Sequence, residues 1–116
     1  FTGPDLSQAG LEGAFAAKAI LRNTQLEGAR LVRAEFRGAS LVEANLNRSD
    51  CSKGSFQEAD LTRALIRDAF FELSSLRKSK LHGADLRGTS LRGCRVGNAD
   101  FKGCRVLDSD LEHAAE

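Results

Sequence analysis

The side chains that could act as a catalytic base, a nucleophile or a metal ligand are few in this sequence. The 116 residues include two histidines, His82 and His113, and three cysteines, but no tyrosine or tryptophan. No phosphate-binding loop, dinucleotide fingerprint or zinc-ligand spacing is present. A nucleophile also needs a base beside it and a pocket around it. We therefore predict no catalytic residue, no cofactor, no metal site and no small-molecule substrate.

Charge is the second property that could support binding, and it is unevenly distributed. The formal net charge is only +1, which argues against a strongly acidic or strongly basic chain. Residues 76–105 nevertheless hold eight lysines and arginines against two aspartates. We define the basic belt as Arg67, Arg77, Lys80, Arg87, Arg92, Arg95, Lys102 and Arg105. This belt is either a solvated surface or a contact site for an acidic partner.

These side chains are positioned by a five-residue repeat that runs through the whole chain. From Phe1 to Leu111, every fifth residue is large and apolar except Ala16 and Cys51. The residue two places earlier is small, and eight glycines stand two places later, where their freedom to adopt positive φ suits turns. Side chains that can bond turn backbone often stand directly before the large residue: Asp5, Asn45, Asp50, Asp60, Asp85, Asp100 and Asp110.

Neither an α-helix nor a β-strand buries a column with this period. On a helix, residues five apart are rotated by about 140°, and on a strand they alternate between the two faces. A chain in which five residues form one side of a square prism places all of the large residues inside. The small residues then lie where the turning chain is crowded.

Residues 29–33, 44–46, 59–63 and 84–88 resemble the A(D/N)LXX unit of the pentapeptide-repeat family, and the resemblance covers essentially the whole chain. It implies an all-β fold, a right-handed quadrilateral parallel β-helix with four repeats per coil. Five to six coils are then expected, with backbone hydrogen bonds between neighbouring coils. Some members of this family bind DNA gyrase by imitating DNA with an acidic rod, and many others are domains of larger polypeptides.

Two places depart from the repeat. Around Phe15 the large residue comes one place early, and Ile20 competes with Leu21 for the next inward position. We expect a local bend or register slip there. The second place, at Phe70 and Phe71, bears on function.

Leu65, Phe70 and Leu73 put large apolar side chains at positions that other repeats fill mostly with polar residues. All three belong to one predicted coil, on two adjacent sides. Such a group is unusual on the surface of a monomer, which indicates a protein-contact site. The alternative is a bulge at Phe70 that turns its ring inward and places Phe71 outside.

The cysteines occupy inward positions, so we expect Cys51, Cys94 and Cys104 all to be buried. Cys94 and Cys104 are ten residues apart, on opposite walls of the predicted square, whereas a disulfide needs Cα atoms within about 7 Å. We interpret all three as free thiols that act as small hydrophobes. Unpaired cysteines favour a reducing compartment, so we predict a cytoplasmic protein.

These residues suggest three possible functions. We favour a non-catalytic scaffold that binds a protein partner, or a second copy of itself, through the apolar patch or the coil ends. A DNA-mimicking gyrase-binding protein is disfavoured by the charge of +1. Nucleic-acid binding through the basic belt ranks last, because no aromatic platform accompanies the arginines.

The chain opens without methionine in the middle of the repeat. We therefore expect residues 1–116 to be a single domain excised from a larger polypeptide. No apolar run is long enough to cross a membrane and no signal peptide is visible, so no membrane partner is predicted.

Overall fold

The five-residue repeat folds into a square prism whose walls are successive repeats. The computed structural model describes residues 3–115, with residues 108 and 109 described by their backbone alone; Phe1 of the apolar column lies outside this range. Parallel β-bridges join residues twenty apart, from Asp5↔Gln25 to Arg95↔Ala115. Because four repeats separate bridged residues, each coil has four sides, and the predicted quadrilateral parallel β-helix is confirmed.

Four walls result, each centred on a column of bridged residues. Wall 1 is centred on Asp5, Gln25, Asn45, Leu65, Asp85 and Arg105; wall 2 on Gly10, Arg30, Asp50, Phe70 and Ser90; wall 3 on Phe15, Glu35, Ser55, Ser75, Arg95 and Ala115; and wall 4 on Ile20, Ser40, Asp60, Lys80 and Asp100. Each bridging segment is one residue long. Within residues 3–115 the one helix is α1, Asp108–Leu111. The prism measures 33 × 26 × 23 Å.

The interior is filled by the large and small columns that the sequence predicts. Both columns are fully buried in the central coils, where rings stack between coils: Phe56 lies 5.0 Å from Phe36 and 5.1 Å from Phe71, centroid to centroid. Next to these rings lie residues that are smaller than those at the same positions of most other repeats. Cys51 replaces a leucine in the column of Phe71, and a Cβ on Gly54 would lie 3.5 Å from the ring of Phe56. The reduced side chains therefore make room for the aromatic stack.

From residue 8 to residue 103, every side ends in a turn with one residue of positive φ. In the turn after Leu41, for example, the N–H of Ala44 donates to the Leu41 carbonyl at 3.0 Å. The residue before the donor has φ near +60°, as position i+2 of a type II turn requires. Seven of the eight predicted glycines have this conformation, and so do thirteen other residues, including lysines, arginines and glutamates. The expected role of glycine is confirmed, although the turn also forms without it.

Carboxylate and amide side chains at the wall centres cap these turns. Each accepts a hydrogen bond from the backbone N–H two residues later, at 2.9–3.2 Å, as predicted: Asp5, Asn45, Asp50, Asp60, Asp85 and Asp100. Leu65 has no acceptor to offer at its place. There the amide oxygen of Asn47, one coil earlier, accepts from the N–H of Arg67 at 2.8 Å, so the wall tolerates an apolar centre.

The helical turn α1, Asp108–Leu111, is a feature that the repeat does not predict. It takes Asp110 out of the bridging position that would face Ser90. The Asp110 carboxylate instead accepts a hydrogen bond from the N–H of Gly88 at 3.0 Å. The coil then returns to register, because Arg95 bridges to Ala115. Wall 2 is thus interrupted in its last coil.

The expected bend or register slip between Phe15 and Leu21 is wrong. Phe15 bridges to Glu35 and Ile20 bridges to Ser40, in the same twenty-residue register as the neighbouring repeats. The small Ala16 takes the inward position, while Phe15 and Ile20 point outward, each 81% exposed. Hydrogen bonds to the next coil on all four walls hold the register, and burying one misplaced ring would not offset their loss.

Replacing Thr24 with valine is expected to raise the free energy of unfolding by about 1 kcal/mol. Thr24 belongs to the small column and is fully buried, and its hydroxyl has no hydrogen-bond partner in the described chain. Valine keeps the shape and removes the unsatisfied hydroxyl. Urea denaturation followed by circular dichroism measures the change. Thr24→Ser, which keeps the hydroxyl, is the control and gains nothing; a valine variant less stable than the parent contradicts the assignment.

Candidate interaction surfaces

Leu65, Phe70 and Leu73, which we call the apolar surface, all point into solvent. Their exposed fractions are 43%, 49% and 63%. Leu65 stands at the centre of wall 1, Phe70 at the centre of wall 2, and Leu73 in the turn between walls 2 and 3. One coil therefore carries all three on adjacent sides, as the sequence predicts.

The alternative of a bulge at Phe70 is wrong. Phe71 is fully buried and packs against Phe56. The backbone around Phe70 is bonded to both neighbouring strands of wall 2: the Phe70 N–H donates to the Ser49 carbonyl at 3.0 Å in the coil before, and the Phe71 N–H donates to the Ser90 carbonyl at 2.9 Å in the coil after. The outward position of the Phe70 ring is therefore fixed by the register of the wall.

A depression lies beside Phe70 on the same wall, one coil further along the prism. Its volume is about 220 Å³, and it is lined by Gly88, Ser90, Leu91, Arg92, Asp110 and His113. It forms where α1 leaves the wall, above the bridge from Phe70 to Ser90. Sequence reasoning missed this feature, because nothing in the five-residue repeat indicates that α1 leaves the wall.

Phe15 and Ile20 form a second exposed apolar pair that the sequence interpretation did not assign. They lie on walls 3 and 4 of the first described coil, on the far side of the prism from the edge between Leu65 and Phe70. The expectation of a register slip concealed them, because a slip would have turned one of them inward.

The basic belt surrounds the prism, as its spacing predicts, although none of its members stands at the centre of wall 2. Arg105 lies on wall 1, Arg95 on wall 3 and Lys80 on wall 4, and the remaining members lie in the turns between walls. Arg87 donates two hydrogen bonds to Asp85, at 2.9 and 2.7 Å, and these hold the pKa of that carboxyl below its usual range. The belt encircles the prism and forms no groove on any one wall.

The two histidines lie apart and have different surroundings. The Nε2 atom of His82 lies 2.6 Å from a carboxylate oxygen of Asp100, and this contact lowers the pKa of Asp100. His113 lines the depression on wall 2. Over residues 3–115, no cluster of three or more potential metal ligands occurs. No helix in that range has the length and apolarity needed to span a membrane.

All three cysteines are unpaired, as predicted, but they are not equally buried. Cys51 and Cys94 are buried, whereas Cys104 is only half-buried. Cys104 lies in the last described coil, which is covered on one side only, so the expectation that it is buried is wrong. Burial raises the pKa of Cys51 to about 12 and that of Cys94 and Cys104 to about 11.

Thiol labelling is expected to separate Cys104 from the other two. A disulfide reagent must reach the sulfur to react with its thiolate. At pH 8 the half-buried Cys104 therefore reacts first, and the buried Cys51 and Cys94 react only on unfolding. Cys104→Ser removes the early reaction and serves as the control. The same burial makes stability depend on pH. In the folded protein the pKa values of Cys51 and Cys94 lie above the ordinary 9.0, so the contribution of the neutral thiols to the free energy of unfolding is complete below pH 9.0 and is lost as the pH rises towards 12. Early labelling of Cys51 would contradict its burial.

The sequence matches the family of pentapeptide repeats, in eight copies, over residues 19–51, 55–93 and 84–114. No curated protein matches the chain. Among solved structures, the pentapeptide repeat protein alr5209 from Nostoc PCC 7120 is 26% identical, with a TM-score of 0.71 and coverage of 89% of this chain and 84% of alr5209. QnrB1, a plasmid-mediated fluoroquinolone resistance protein, is 19% identical, with a TM-score of 0.56 and coverage of 97% of this chain and 64% of QnrB1. These likenesses agree with the right-handed quadrilateral β-helix.

Proposed function

Because the chain belongs to the pentapeptide-repeat family, we propose that it is a non-catalytic scaffold that binds a protein partner through the apolar surface. The observation that carries the proposal is the outward position of Leu65, Phe70 and Leu73 in a single coil. Large exposed apolar groups that lie together are typical of protein contact sites.

Rigidity of the wall supports this role. The backbone at Phe70 is hydrogen-bonded to the coils on both sides, so the wall from which the ring projects is already ordered before any partner arrives. A contact that is organised in advance loses little conformational entropy on binding. Aromatic side chains in such positions commonly contribute most to the binding free energy.

Imitation of DNA is the competing function, and the charge distribution disfavours it. Double-stranded DNA carries one negative charge per about 1.7 Å of its axis, so a protein that imitates it needs carboxylates along the rod. This chain has a formal charge of +1, and its C-terminal coils carry the basic belt. The similarity to QnrB1, at 19% identity, extends to the fold alone and brings no function with it.

The proposal is tested by placing a photo-crosslinking phenylalanine analogue at position 70 and irradiating the protein in an extract of its source organism. We expect discrete protein adducts. The matched control carries the analogue at position 15, which is more exposed than Phe70 but lies on wall 3. No adduct from position 70, or the same adducts from both positions, would refute the apolar surface as the contact.

We also infer a reducing compartment such as the cytoplasm. Three unpaired thiols, two of them buried, support this placement, because cysteines in oxidising compartments are commonly paired.

A further inference from the structure

We propose that the protein which docks on wall 2 is a second copy of this chain, related to the first by a two-fold axis. This inference rests on the proposed function and names the partner of Phe70 and Leu73; Leu65, at the centre of wall 1, lies outside this contact. The axis runs between the two facing copies of wall 2, at right angles to the long direction of the prism and midway between the coil of Phe70 and the coil of Ser90. The two prisms therefore run antiparallel, with wall 2 against wall 2. Each residue of wall 2 in the coil of Phe70 then faces the residue twenty places later, in the coil of Ser90 of the second copy.

Shape favours this arrangement at Phe70. In the antiparallel pair the ring of Phe70 faces Ser90 of the second copy, where the depression of about 220 Å³ lies. A cavity of roughly 150 Å³ already holds a benzene molecule, so the ring fits. Arg92 lines the depression together with His113, and an aromatic ring attracts a guanidinium group. The same contact occurs twice, once in each direction, as an isologous interface requires.

Leu73 adds an apolar contact close to the axis. Its side chain leans over Gly93, since a Cβ on that glycine would lie 2.8 Å from Leu73 Cδ2. The side chain therefore stands between the two coils that flank the axis, and the two copies of Leu73 meet there. Their exposed surfaces are removed from water together.

Charge is complementary in the same turn column. Glu72 lies beside Leu73, and Arg92 lies one coil later, so in the pair each Glu72 faces Arg92 of the second copy. Neither side chain has an ion-pair partner among the described residues. Two like-charged pairs oppose them. Asp50 faces Asp110, although both carboxylates already accept backbone N–H groups, and Arg67 faces Arg87, although the Arg87 guanidinium is already bonded to Asp85.

The contact area indicates a weak dimer. The axis lies above the middle of the prism, so about four coils overlap, or roughly 19 Å of wall height at the usual strand spacing. With a prism width of 23 Å, the pair buries roughly 900 Å² in total, below the 1,200 Å² of stable complexes. Association should therefore be reversible and visible at high micromolar to millimolar protein.

Sedimentation velocity over a concentration series, with two charge reversals, tests the pairing. Glu72→Arg places two arginines against each other in each half of the dimer, and Arg92→Glu places two glutamates there. Each variant alone is expected to dimerise about tenfold more weakly than the parent or worse. An equimolar mixture restores both ion pairs in the mixed dimer and should associate at least as well as the parent. Failure of the mixture to associate overturns the proposal.

Phe70→Ser and Phe15→Ser form the matched pair for the apolar contact. Both remove an exposed ring, so both should fold as the parent does by circular dichroism, but only Phe70→Ser is expected to abolish the dimer. A parent chain that stays monomeric at millimolar concentration overturns the second copy as partner, as does a dimer lost in Phe15→Ser and retained in Phe70→Ser. Photo-adducts from position 70 with proteins of a different mass would still support the proposed function, so the two proposals can fail separately.

Discussion

Replacing Phe56 with alanine is expected to lower the free energy of unfolding by about 3 to 5 kcal/mol. The ring is fully buried and packs against both Phe36 and Phe71. The surrounding walls are fixed by hydrogen bonds between coils, so they cannot collapse into the space that the ring leaves. The variant therefore loses the transfer free energy of the ring and also retains a cavity. Urea denaturation followed by far-ultraviolet circular dichroism measures the difference.

Phe15→Ala is the matched control for this prediction. It removes the same ring from a position that is 81% exposed, so its effect should stay within about 0.5 kcal/mol. Phe56→Leu, which fills part of the cavity, should fall between the two. Equal losses at positions 15 and 56 would mean that the inward and outward columns have been assigned to the wrong faces.

The columns that define this core could be read from the sequence because the repeat is long. Each large residue is supported by others at the same phase, so a single exception such as Ala16 does not change the assignment. The capping role of Asp60 and Asp85 could be read for a similar reason, since it depends only on backbone two residues away. Local and repeated features were therefore predictable.

Features that depend on one particular coil were not predictable. The register at Phe15 is decided by hydrogen bonds to residues twenty places later, and local side-chain size was the wrong guide. The depression on wall 2 exists because α1 displaces Asp110, and nothing in the five-residue repeat indicates that helical turn. The outward positions of Leu65 and Phe70 could be predicted, but the complementary hollow beside Phe70 could not.

Replacing Thr89 with valine is the second large effect, with an expected loss of about 2 to 4 kcal/mol. In a typical turn the N–H of Ala64 donates directly to the Leu61 carbonyl at 3.0 Å. In the next turn the Thr89 hydroxyl, from the following coil, stands between the two groups: it donates to the Ile66 carbonyl and accepts from the Ala69 N–H at 3.2 Å. Valine puts a methyl group there and leaves both buried backbone groups without a partner.

Thr89→Ala separates this cause from side-chain size. Alanine leaves room for the Ala69 N–H to bond the Ile66 carbonyl directly, as other turns do, so it should cost less than valine although it removes more atoms. Thr24 occupies the same small column with an unsatisfied hydroxyl, and there valine is expected to stabilise. Opposite signs for the same substitution at positions 24 and 89, measured by urea denaturation, would show that hydrogen bonding between coils decides the outcome. Valine and alanine that cost the same at position 89 would instead attribute the loss to packing.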